Sequence, residues 1–151
     1  MSCPFIHRLR WRKHHIEEHW RTLLKIEPCS GPLSNPETLQ FLIPEMCERV
    51  FTKGEELSDR KISLEEAKLQ LPACSCGNNP YRAFFVAGEQ AITDAAILLS
   101  ANLIPQERDA HAIGRLMFAV RSIAADEIDT FCGACVHHGV AKGCRFVSNS
   151  A

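Results

Sequence analysis

Between residues 113 and 131 an apolar side chain recurs every three or four positions: Ile113, Leu116, Met117, Val120, Ile123, Ala124, Ile128 and Phe131. That period describes an amphipathic helix, which must bury its stripe against other elements. No stretch alternates polar and apolar residues over the length of a strand, so the expected class is all-α, a single helical bundle. A chain of 151 residues is long enough for one core. The expected organisation is one helical domain over 1–151, with N-terminal helices in 1–70, a Cys-flanked antiparallel helical hairpin over 73–135 and a tail over 136–151.

The remaining helices follow from periodicity and punctuation. Residues 5–26 are basic and histidine-rich, with Ile16, Trp20, Leu23 and Leu24 as their apolar stripe. Pro28, Gly31 and Pro32 break that helix. Asn35, Pro36 and Glu37 then supply a cap, a first residue and a charge suited to the positive end of a new one. Leu39, Leu42, Ile43, Met46, Val50 and Phe51 follow at helical spacing, and Pro44 is expected to kink or split the segment. Residues 52–61 read as a polar loop, after which Ser63 and Glu66 form a capping box. Asn79 and Pro80 open a long helix toward residue 103, whose inner face is small: Ala87, Gly88, Ala91 and Ala95, with Phe84 and Leu98 at the ends. Pro105 is expected to start the last helix, with Glu107 and Asp109 in its first turn.

If those last two helices fold back on each other near residue 104, facing positions have numbers adding to about 208, because both rise equally per residue. Cys76 and Cys132 meet that value, and Cys74 and Cys135 miss it by one. A Cys-x-Cys before one helix is thereby expected beside a Cys-x-x-Cys after its partner. The same register sets Asp94 against Arg115 as a charge pair.

Four thiolates from two loops suit tetrahedral zinc, with sulfurs at about 2.3 Å. Cys74, Cys76, Cys132 and Cys135 are therefore the candidate ligands, and His137, His138 or Cys144 can stand in for one of them. Zinc is favoured over an iron–sulfur cluster, the alternative cofactor, because the closely spaced Cys run of bacterial ferredoxins is missing. A c-type haem does not fit: one residue too many separates Cys135 from His137. Reversible dithiol chemistry at Cys132 and Cys135 is the other redox reading. It is disfavoured by a position at the end of a helix, where the dipole opposes a thiolate. Cys3, Cys29 and Cys47 share no spacing and read as structural or incidental.

The histidines near the N-terminus form a second cluster. His15 and His19 share one helix face, and His14 and Glu18 the adjoining one. Ile16 follows His15 where a metalloprotease motif needs Glu. A solvated, positively charged face is the simplest account, with an accessory metal site or an anionic partner as its rivals. Arg8, Arg10, Arg12 and Lys13 scatter around the helix instead of lining one stripe, and 17 basic against 18 acidic residues leave a net charge of −1. Both points argue against nucleic acid as a partner. Glu89 and Asp94 are expected to pair with Arg115 or Arg121, or to face water. No Ser–His–Asp order and no Gly-rich phosphate loop occurs, so no nucleophile, base or substrate pocket is identified.

The N-terminus has no apolar run of signal-peptide type, and the most apolar stretch, 84–103, is interrupted by Glu89, Gln90 and Asp94. The expectation is a cytoplasmic protein without a membrane partner, in which clustered cysteines bind metal before they form disulfides. The sequence reading is thus a non-enzymatic, metal-binding helical domain with a regulatory, sensing or interaction role. Its counterpart would be a protein partner or a small effector, and it can form a homo-oligomer. The alternatives are a redox-active protein and a metal-free interaction bundle.

Overall fold

The computed structural model describes residues 4–68 and 79–134. Among them every regular element is helical, so the fold class is all-α. Six α-helices occur in chain order: α1 (Pro4–Arg10), α2 (Lys13–Ile26), α3 (Pro36–Glu56), α4 (Leu64–Ala67), α5 (Tyr81–Ala101) and α6 (Ala110–Ala134). Two 3-10 turns, Gly31–Ser34 and Pro105–Glu107, lie between them.

The N-terminal region is two helices, not the single one its composition suggested. Trp11 and Arg12 donate their backbone N–H groups three residues back, to Arg8 and Leu9 at 3.2 and 2.9 Å, which tightens the chain and ends α1. The break lets Phe5, Ile6 and Leu9 enter the core from one direction and Ile16, Trp20 and Leu24 from another. Asn35 caps α3 by accepting the N–H of Glu37 at 2.9 Å. Pro44 sits inside α3 without splitting it, and the helix runs on through Thr52, where a loop was expected. Ser63 caps α4 by accepting the N–H of Glu66 at 3.2 Å.

α6 packs against α5, α3 and α4, and α2 lies across α5 and α3. Leu116, Val120, Ile123, Ala124 and Ile128 are buried along α6, as its period requires. α5 and α6 run antiparallel, with Asn79 beside Ile128 and Glu89 beside Arg121. The start of α6 differs from the expected one. Pro105 opens only a 3-10 turn, and Asp109 is the effective cap, its Oδ1 accepting from the N–H groups of His111 and Ala112 at 3.0 and 3.1 Å. Gly114 meets the backbone after α3, where a Cβ would stand 2.1 Å from the Ile62 carbonyl oxygen.

α5 is the most apolar helix and, by length and composition alone, long enough to cross a membrane. In the fold it is a core helix on one side. Phe84, Phe85, Gly88, Ala91, Ile92, Ala96 and Leu99 are buried. The small residues serve α2: a Cβ on Gly88 would lie 2.3 Å from the ring of Trp20, which fills that space. Leu98, expected at the end of the inner face, is instead 60% exposed.

Candidate functional site

At the N-terminal end of α5, Asn79 ties the two long helices together. Its Oδ1 accepts the N–H of Tyr81 at 3.0 Å, and its Nδ2 donates to the Ile128 carbonyl at 3.0 Å and to Cys132 Sγ at 3.1 Å. The Oδ1 bond is an Asx-type turn, which spans Pro80 without needing a backbone donor from it and leaves the Nδ2 group to donate to α6. The ring of Tyr81 meets Phe131 edge-on, with centroids 5.9 Å apart. Cys132 is buried, and no disulfide occurs among the described residues.

Of the candidate ligands only Cys132 lies within the described residues. Cys74, Cys76, Cys135, His137, His138 and Cys144 lie outside them, as does Cys3. Cys29 and Cys47 are buried thiols, as expected of structural cysteines. Burial pushes the Cys29 thiol up to about 11 and Cys47 up to about 12.

Of the two carboxylates of α5, one pairs with an expected arginine and the other does not. Glu89 does meet Arg121, in a two-pronged contact at 2.7 and 2.9 Å. Asp94 does not meet Arg115. The Arg115 guanidinium is drawn to Asp109 at 2.6 Å and to the Arg60 carbonyl at 3.1 Å, both nearer the start of α6. Asp94 turns to α2 instead, where His19 Nε2 stands 2.9 Å from its Oδ2, and Gln90 donates to its Oδ1 at 2.9 Å.

That contact marks a groove of about 690 Å³ between α2 and α5. Arg12, His15, Ile16 and His19 form one wall, and Ala91, Asp94, Ala95, Ile97 and Leu98 the other. Sequence reasoning placed His15 and His19 on one face but missed the groove, because nothing in the sequence says that α5 is the helix opposite. The small residues of α5 were its visible signal. An accessory metal site finds no support here: among the described residues no three His, Cys, Asp or Glu side chains gather closely enough to hold an ion.

No protein-family model, curated protein or solved structure matches the chain.

Proposed function

We propose that the chain is a metal-binding helical domain in which Cys74, Cys76, Cys132 and Cys135 hold zinc at the end of the α5–α6 pair, with a regulatory, sensing or interaction role. The observation that carries this reading is the 3.1 Å contact between Asn79 and Cys132. Cys76 precedes Asn79 by three residues and Cys135 follows Cys132 by three, so each is within about 10 Å of chain from that contact. Two helices already fastened together lower the ordering cost of bringing four sulfurs to one ion. An amide N–H aimed at a sulfur also suits a metal-bound thiolate, whose charge it stabilises.

Zinc bound in this way would add its binding free energy to folding, and its removal would loosen the C-terminal tail first. Purification without air, followed by metal analysis and a visible spectrum, tests the reading. The expected result is colourless protein with close to one zinc per chain, lost in the Cys76→Ser/Cys132→Ser double variant. Iron with a brown absorption would favour the iron–sulfur alternative. Metal-free protein whose free-thiol count falls by two on mild oxidation would favour a reversible Cys pair. Metal content unchanged in the double variant would refute the ligand set.

A further inference from the structure

The groove between α2 and α5 lies about 20 Å along α5 from Asn79, so it is independent of the metal reading. Its volume of about 690 Å³ falls in the range of small-molecule sites. The α5 wall is apolar apart from Asp94: Ala91, Ala95, Ile97 and Leu98 extend over about 10 Å of the helix, roughly the length of an eight-carbon chain. Ile97 and Leu98 are more than half exposed, which is costly for large apolar side chains without a cover.

The polar end has one sign left over. Asp94 is taken by His19 and Gln90. The side chains of Arg12 and His15 make no hydrogen bond or ion pair among the described residues, and the His15 ring lies 6.2 Å from that of His14, centroid to centroid. Arg12 is also the N-cap of α2, a position where its side chain makes no capping bond, and the first turn of that helix carries no acidic residue. The positive end of the helix and the unpaired guanidinium therefore favour an anion at the same place.

We infer that this groove binds an amphipathic monocarboxylate of medium chain length, with its carboxylate at Arg12 and His15 and its hydrocarbon along Leu98, Ile97, Ala95 and Ala91. Arginine supplies two parallel N–H donors to a carboxylate, and the apolar wall takes the chain out of water.

Calorimetric titration of the full chain with octanoate tests the inference, with octanol and octyltrimethylammonium as matched controls. Two variants at exposed positions accompany the parent, Arg12→Glu and Leu98→Asp. A carboxylate at the start of α2 suits the helix dipole, so Arg12→Glu leaves the fold intact, which an unchanged thermal melt would verify. The expected result is saturable binding of one octanoate per chain, with octanol weaker and the cation absent. Arg12→Glu weakens octanoate by about tenfold or more, the scale of a lost charge-assisted contact. Leu98→Asp weakens all apolar ligands. Failure of octanoate to saturate, equal affinity for octanol, or unchanged affinity in Arg12→Glu would overturn the assignment.

Discussion

The ring of Trp20 occupies the space that Gly88 leaves open, and its Nε1–H donates to the Phe84 carbonyl at 3.0 Å. The indole thus has a partner for its only polar atom while its ring packs on Phe84 at 4.8 Å between centroids. Together with the His19–Asp94 contact, this side chain fastens α2 to α5 beside the groove.

A methyl group at Gly88 should accordingly push against an aromatic ring that has nowhere to go. We expect Gly88→Ala to destabilise the protein by about 1–3 kcal/mol in denaturant unfolding, despite the better helix propensity of alanine. Gly114→Ala should cost more, because its Cβ would strike the Ile62 backbone and not a side chain. A gain in stability would mean that α2 and α5 cross farther apart, for Gly88→Ala, or that residues 62–63 lie farther from α6, for Gly114→Ala.

The pairing of Arg10 with Glu48 predicts an acid-dependent contribution to stability. Burial works to raise the Glu48 carboxyl, but hydrogen bonds and charges from Arg10 and Lys13 prevail and hold it below its ordinary value. A depressed carboxyl stabilises the fold above the unfolded-state value of about 4.3 and loses that effect as pH falls through the folded value. Glu48→Gln should therefore be less stable than the parent at pH 7, with the gap closing below about pH 4.3. The side chain is nearly half exposed, so the gap is small and shrinks further in salt. A gap that widens in acid would contradict this.

Cys29 and Cys47 should resist alkylation in the native protein. Their thiols are buried and raised to about 11 and 12, which leaves almost no thiolate at pH 8. Mass spectrometry after brief iodoacetamide treatment should find both peptides unmodified, and both modified once the protein is unfolded. Rapid native labelling of Cys47 would place that part of α3 outside the core.

Local signals in the sequence carried much of this architecture. Asn35 before Pro36 and Ser63 before Glu66 are caps whose bonds close within three residues, and both form as read. The stripe of α6 is legible because its period is intrinsic to the helix. Less legible was whatever depends on which helices meet. The turn at Trp11 and Arg12 has no glycine or proline to announce it and arises from burying Phe5 and Trp20 together. Asp94 was assigned to Arg115 by register alone, yet Arg115 has a closer acceptor in Asp109, and the Asp94 carboxylate has a closer partner in His19 on α2. His19, the groove wall and the role of Gly88 all follow from the α2–α5 contact, which no periodicity encodes.

Cobalt titration reads the proposed thiolate site at its ligands. Full-length protein, stripped of metal and titrated with Co²⁺ under argon, should develop the intense visible and near-ultraviolet bands of tetrahedral cobalt–thiolate coordination, saturating at one ion per chain. Zinc should displace the cobalt and abolish those bands, and the Cys76→Ser/Cys132→Ser variant should not produce them. A spectrum without thiolate bands, or the same spectrum in the double variant, would contradict the account.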